Sequence, residues 1–478
     1  MVPNSPGVSP FVKTAYGIGN ISYSLPYQIM ASFFIFYATA ILKLPASWAA
    51  TAMAVSAVWD AVTDPLMGFI SDNSYTKNWG RRHPFLLFGA LVIAFATYFL
   101  WSIDPAAGEI SKFVQVVLWL LVLRTALTVF VAPYNALGAE LSNDYDERSS
   151  VQGYRATFYI IGMIIALVGT MVVFFHATPQ YDRGQLNPAA YPKMAWVYSI
   201  FVLLTMIAAF WGTRKFIPGL PQRSAVMESE KISVRRIYTD FLNALKNHDF
   251  LMVALLIFII EVGFQLGIAI GVHVNTYAYH LSGPQMGILG LVILGFSILS
   301  QPFWIWFTKK YDKKWAVIVG MVIGLTGFVG APWTHIWWPL FPLNTDTIIL
   351  SLGAFNVLAG IGNGAFMSIP YSMVADTVDA EEVYSGKRDE GLYFGIYTFA
   401  YKLGTSISVL LSGFVLTWSG FNPQLSEQIP STVFYMALIP TWFLVALAPF
   451  ALWTVLRYRL SRGRYQEIQV QLVDKNRG

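Results

Sequence analysis

The sequence predicts an all-α integral membrane protein of twelve transmembrane helices, arranged as two six-helix halves with both termini in the cytoplasm. Three observations carry that reading. Of the 478 residues, 56% are hydrophobic and only 12% charged, where a soluble globular chain carries about 25% charged residues. Apolar stretches of roughly 20 residues, enough to cross about 30 Å of hydrocarbon, recur along the whole chain. The basic residues are also sorted: 24 of the 31 Lys and Arg side chains fall in loops on the N-terminal side of the membrane, against four on the other side and three within spans. An excess of this kind marks the cytoplasmic face.

The first six stretches run from Phe11 to Leu42, Ser47 to Asp72, Pro84 to Trp101, Phe113 to Leu141, Val151 to Phe175 and Met194 to Ile217. The second six run from Phe250 to Leu281, Gln285 to Phe307, Trp315 to Ala331, Thr347 to Val374, Gly391 to Trp418 and Thr432 to Leu456. Residues 1–217 therefore form an N-terminal half and 249–458 a C-terminal half. A polar linker, 218–248, joins them and is expected to carry a short interfacial helix from Ser233 to Leu245; residues 459–478 are a cytoplasmic tail. The chain has no cysteine, which removes disulfides, thiolate metal sites and a Cys nucleophile. Its first residues lack a basic region leading into a short apolar core, so no removable signal peptide is expected.

The halves echo each other. The fourth span ends in APYNALGAEL (Ala132 to Leu141) and the tenth in IPYSMVADTV (Ile369 to Val378), each followed by an acidic turn. Asp64-Pro65 in the second span has Gln301-Pro302 as its counterpart in the eighth. Six-helix halves repeated in parallel are the mark of the major facilitator architecture, in which the solute sits near mid-membrane between halves that rock. An ion site, where present, belongs to the half that holds the acid.

That acid is one of a pair. Asp60 and Asp64 lie in an otherwise apolar run, and four residues of helix turn through about 400°, placing both on one face about a turn apart. An ionised carboxylate in hydrocarbon is costly, so the pair must face a wet or ion-occupied cavity. It reads as a cation site; Thr63 and Thr128 are available hydroxyl ligands for a hard ion. Protons would suit the same carboxylates, because two close acids push one of their affinities upward. The alternative is a structural ion pair with Arg155 in the fifth span or Lys402 in the eleventh. The spacing Gly68, Asp72, Gly80, Arg81, Arg82 puts an acid at a helix end and two cations across a short turn, suited to ion pairs that close a cytoplasmic gate.

Arg155 and Lys402 are the paired candidates for a polar cavity. Arg155, about a turn from the membrane edge, has snorkelling as its alternative; Lys402, about 16 Å along its helix, does not. Arg124 either balances Asp60 or lies near the outer end. Tyr23, Asn135, Glu261, Gln265 and Thr398 are the further candidates for solute contact, Glu261 and Gln265 standing four apart on the seventh span. His273 and His280 read as interface anchors. No Gly-rich phosphate loop, nucleophile elbow or zinc spacing occurs, which leaves ATP-driven transport and soluble-type catalysis without support.

At these residues the chain resembles the glycoside-pentoside-hexuronide:cation symporter family. The motifs are W-D-x-x-x-D-P-x-x-G from Trp59 with G-R-x-x-P from Gly80, P-Y-x-A-L from Pro133, Tyr154-Arg155, M-V-A-D-x-V-D from Met373, and G-K-R-x-E-G-L-Y-F-G from Gly386. The resemblance covers nearly the full length. It implies that Asp60, Asp64 and Thr128 are cation ligands, that Arg155 lies near the sugar site, and that Lys402 with Thr398 stands next to the cation. The chain also departs from the melibiose-carrying members: their sugar-binding aspartates fall on Ser24 and Val131, and their sugar-lining tryptophans on Asn135 and Met367.

The expectation is a cation-coupled symporter rather than an enzyme, placed in a bacterial inner membrane. It would take up a small solute, first among the candidates a glycoside or other sugar, with sodium or protons, and would need no cofactor. Its partners would be the solute, the cation and the bilayer, with no nucleic acid, and it would work as a monomer. A carrier of an amphiphile and a non-transporting membrane sensor are the alternatives.

Overall fold

The computed structural model describes residues 8–74, 76, 79–142, 144–219, 239, 241–333, 345–385 and 389–475. At some helical positions, Asp64, Gly68 and Asp72 among them, only the backbone course is described. Two compact units result. Unit 1 holds Met1–Glu230 with the short pieces His280–Gly287 and Asn422–Ser426; unit 2 holds Lys231–Tyr279, Ile288–Phe421 and Glu427–Gly478. Among the described residues there is no β-strand, only isolated bridges at Thr76–Gly80 and Thr178–Tyr181.

Unit 1 begins with α1 (Pro10–Gly19) and α2 (Ile21–Phe36), which the sequence reads as one span. They part at Asn20, whose side-chain amide donates to the Arg155 carbonyl at 2.9 Å. Then come α3 (Ala46–Asn73), α4 (His83–Leu100), α5 (Glu109–Glu140), α6 (Tyr145–Ile164) and α7 (Ala190–Thr213). The turn between α3 and α4 needs a left-handed residue, and Gly80 at φ +67° supplies it without Cβ strain. Pro84 then opens α4 in the first turn, where its missing N–H costs nothing. Asp144 caps α6 by accepting from the Glu147 N–H at 2.9 Å. α5 packs against both α3 and α4.

Unit 2 holds α8 (His248–Tyr277), capped by Asn247 accepting from the Phe250 N–H at 3.1 Å. α9 (Gly283–Leu299), whose first turn belongs to unit 1, and α10 (Gln301–Tyr311) replace the single span the composition suggests, with a 40° bend between them. α11 (Lys313–Pro332) and α12 (Thr345–Ser385) touch backbone to backbone: a Cβ on Gly362 would sit 2.4 Å from the Gly324 Cα, and one on Gly327 would sit 2.3 Å from the Ala359 nitrogen. α13 (Glu390–Trp418) and α14 (Pro430–Arg457) both pack on α8.

Ten described helices are long and apolar enough to cross a membrane, and the bent pair makes an eleventh. α3 has the length, at 28 residues, but Asp60 and Asp64 lower its hydropathy. The structure adds to one reading and changes another. The tail carries a helix: α15 (Arg462–Lys475) packs on α12, burying Ile468 and Leu472 from one face. Tyr465 of the same helix donates to Asp379 at 2.7 Å; burial, together with that bond to the carboxylate, raises the phenol's proton affinity. His273 is fully buried against the edge of Phe421 and is not an interface anchor. Most of the linker helix expected from Ser233 to Leu245 lies outside the described residues, although 241–244 are helical.

Candidate functional site

Asp60 stands on α3 facing α5, and both of its carboxylate oxygens are engaged. The Thr128 hydroxyl donates to Oδ1 at 3.1 Å, and a nitrogen of the Arg124 guanidinium lies 3.5 Å from Oδ2. Arg124 and Thr128 are four residues apart, so one face of α5 presents both. The side chains of Asp60 and Arg124 are 15% and 11% exposed. At such burial each charge requires the other. Beside them the Trp59 indole donates to Thr125 at 2.7 Å, while the Thr63 hydroxyl turns back to the Trp59 carbonyl at 3.1 Å. The Asp64 side chain lies outside the described residues.

An aromatic group borders this pair. The Arg124 guanidinium carbon is 5.7 Å from the centre of the Tyr27 ring, within the distance at which a ring face attracts a cation. Tyr27 stacks on Tyr23 at 5.5 Å, and Tyr23 meets Tyr159 of α6 at 6.4 Å. Sequence reasoning named Tyr23 but missed its two neighbours. The sequence offers Arg155 or Lys402 as structural partners of the aspartates and Arg124 as a balance for Asp60; within unit 1, Arg124 is a partner of Asp60. The signal was there, since Arg124 is one helical turn from Thr128.

Arg155 goes elsewhere. Its guanidinium donates to the Asn135 side-chain oxygen, and these two solute candidates are thereby tied together across α6 and α5. Behind them Tyr16 and Tyr134 stack at 4.6 Å, with the Tyr16 hydroxyl donating to the Tyr134 carbonyl at 3.1 Å. Ser24, where melibiose carriers place an acid, is fully buried, and a Cβ on Gly162 of α6 would lie 2.0 Å from its hydroxyl. Helix packing fills that position.

The basic turn is anchored within unit 1. Arg81 reaches Glu140 at 2.5 Å, and Arg82 donates to the same carboxylate at 2.8 and 3.2 Å and to Ser71 at 2.8 Å. Both arginines are buried. Glu140, which the sequence reading did not single out, is the common acceptor at the end of α5; the Asp72 side chain lies outside the described residues.

In unit 2, Glu261 is buried on α8 and accepts from Gln265 at 3.0 Å. α13 comes close to it because Gly404 has no Cβ; one placed there would sit 2.9 Å from the Glu261 Cβ. Thr398 and Lys402 lie on the exposed side of α13 within unit 2, the Thr398 hydroxyl donating to the Phe394 carbonyl at 2.8 Å. Gln301, the counterpart of Asp64, donates to the carbonyls of Gly364 at 2.8 Å and Ser297 at 3.0 Å and accepts from Ser368 at 3.1 Å. Among the described residues no cluster of three His, Cys, Asp or Glu side chains could hold a metal ion.

Chemically, then, unit 1 offers one carboxylate set between a hydroxyl and a cation, inside helices of membrane-spanning length. Comparison with known proteins gives this a context. The chain is 23% identical to an uncharacterized symporter, sll1374, of Synechocystis, over 96% of each chain. It is 23% identical to the sodium-dependent lysophosphatidylcholine symporter 1-A of Danio rerio, over 97% of this chain and 88% of that one. Its fold is that of a bacterial homologue of the human lysosomal transporter Spinster, solved inward-facing and unoccupied, with a TM-score of 0.68 at 13% identity over 95% and 98% of the two chains. The family described as MFS/sugar transport protein matches residues 15–462, and the chain belongs to that family of multi-pass membrane transporters.

Proposed function

We propose that the chain is a secondary active symporter coupling sodium or proton entry to uptake of a small solute, a glycoside or other sugar, by alternating access between the halves 1–217 and 249–458. One observation carries this reading: a membrane-embedded carboxylate, Asp60, held by a hydroxyl and a guanidinium in a chain of a symporter-containing family. An ionisable group at such a place is a candidate for ion handling before it is one for structure. In this reading Asp60, Asp64, Thr128 and Lys402 serve the cation. Tyr23, Asn135, Arg155, Glu261, Gln265 and Thr398 contact the solute. Asp72, Arg81 and Arg82, with Glu140, secure the cytoplasmic end. α3 is the twelfth span, both termini are cytoplasmic, and the protein works as a monomeric carrier in a bacterial inner membrane, without a cofactor and not as an enzyme.

Thermal stability of the purified protein against glycosides and uronides, with and without sodium, tests it. A sodium-dependent rise in Tm that disappears in Asp64→Asn supports the cation site, and a sugar that adds to the rise names the solute. The absence of any sodium effect, together with no pH-driven uptake in vesicles, would end the coupling reading. A second reading, a cation-linked carrier of an amphiphile, is favoured by the similarity to a lysophosphatidylcholine symporter and by the packing that fills the Ser24 position. Stabilisation by a lysolipid but by no sugar would select it.

A further inference from the structure

We infer that Arg124 is a tethered cation that occupies Asp60 while no coupling ion is bound, yields it when the ion arrives, and so sets the affinity for that ion. This rests on the cation-coupling reading above and adds to it the identity of the ion's competitor. Three observations point the same way. The carboxylate has a resident partner on each oxygen, Thr128 on Oδ1 and Arg124 near Oδ2. A metal ion or proton entering at Oδ2 therefore meets a positive charge already in place.

The hold is also loose. At 3.5 Å the Arg124 contact is longer than the roughly 2.7–2.9 Å of a tight charge-assisted N–H···O bond. The Arg124 Nε is buried with no acceptor among the described residues, so that edge of the guanidinium adds nothing to the hold. Finally, a second station exists. The guanidinium already lies 5.7 Å from the centre of the Tyr27 ring, in an aromatic group completed by Tyr23 and Tyr159. A cation can rest there on a ring face after leaving the carboxylate. Thr128, one turn along α5, can keep its place and lend its oxygen to the incoming ion.

Mutual exclusion has an arithmetic consequence. Where only the fraction of molecules with Arg124 withdrawn can bind the ion, the apparent Kd exceeds the intrinsic one by the inverse of that fraction. Removing the competitor tightens binding. Arg124→Gln should lower the apparent sodium Kd of the purified protein by about tenfold, the change expected for one lost charge-assisted contact. It should also lower Tm in sodium-free buffer, with sodium restoring it.

The titration, followed by intrinsic tryptophan fluorescence and by Tm, compares wild type, Arg124→Gln, Arg124→Lys and Asp64→Asn, with a parallel pH titration. Arg124→Lys keeps the charge on a compact head without the planar fork. It should shift the Kd in the same direction by less, and serves where Arg124→Gln does not fold. Sodium binding that appears only once Arg124 is replaced also supports the inference. An unchanged or weaker Kd in both Arg124 variants, with wild type responding normally, overturns it and leaves the coupling reading standing. No response of any variant to sodium or pH overturns both.

Discussion

The internal repeat equates Asp64-Pro65 of unit 1 with Gln301-Pro302 of unit 2, and the surroundings of these two places differ in kind. Next to Asp64 on α3, Asp60 is held by groups that can move: a hydroxyl at 3.1 Å, a guanidinium at 3.5 Å and a ring face beyond it. The Gln301 side-chain nitrogen is held by groups that cannot, the backbone carbonyls of Ser297 and Gly364, and only its oxygen meets a hydroxyl, that of Ser368. The helix itself follows suit. α3 runs as one element past Pro65, while its counterpart breaks at Ser300 with a 40° bend. Corresponding places in the two halves hold, in one, a charged site with a hydroxyl and a guanidinium around it and, in the other, a neutral joint whose hydrogen bonds go to backbone at a bend.

The sharpest test of that difference is Asp60→Asn. It leaves Arg124 buried without its counter-charge, and breaking a buried pair from one side costs about 3–5 kcal/mol, read as a fall in denaturation temperature. The double variant Asp60→Asn/Arg124→Gln should recover most of that loss yet show no response to sodium; recovery of both would mean that Asp60 has no part in ion binding. Next in size is Glu140→Gln. With the common acceptor of Arg81 and Arg82 neutral, stability should fall by about 2–3 kcal/mol, the scale of hydrogen bonds to charged groups. The basic turn should also become open to proteolysis; a turn as resistant as before would show that other groups hold it. Smallest is Gln301→Ala, which loses its side-chain bonds to two neutral carbonyls and a hydroxyl. It should cost about 1–2 kcal/mol with the sodium response unaltered. Loss of that response would erase the asymmetry between the halves.

Much of this was written in local chemistry. Span positions follow from apolar length, and the basic turn from Gly80, Arg81 and Arg82. What escaped the sequence depends on which helix faces which. Arg124 and Asp60 are 64 positions apart, and only the packing of α5 on α3 makes them a pair. Glu140 stayed anonymous for the same reason. α12 runs to Ser385, beyond the end expected at Val374, because Asp376, Asp379 and Glu381 end an apolar run without ending a helix. Ile468 and Leu472 are too few to announce a docked helix in a polar tail. The split at Ser300 did have a local sign: Pro302 suits the first turn of a new helix better than the interior of an old one.

The glycine seam between α11 and α12 has a mechanical consequence. Two rods that meet backbone to backbone at Gly324–Gly362 and Gly327–Ala359, with Ala365 and the Phe355 ring filling the seam beside those points, bend as a laminated beam does, more stiffly than either rod alone. Any flexing of unit 2 is therefore displaced from this pair to places that lack such lamination, the jointed helix at Ser300 among them. Adding one methyl group at Gly362 would wedge the laminate apart and soften the beam, so a change far from any charge could alter how force is carried through the half of the molecule that holds none of the aspartate pair.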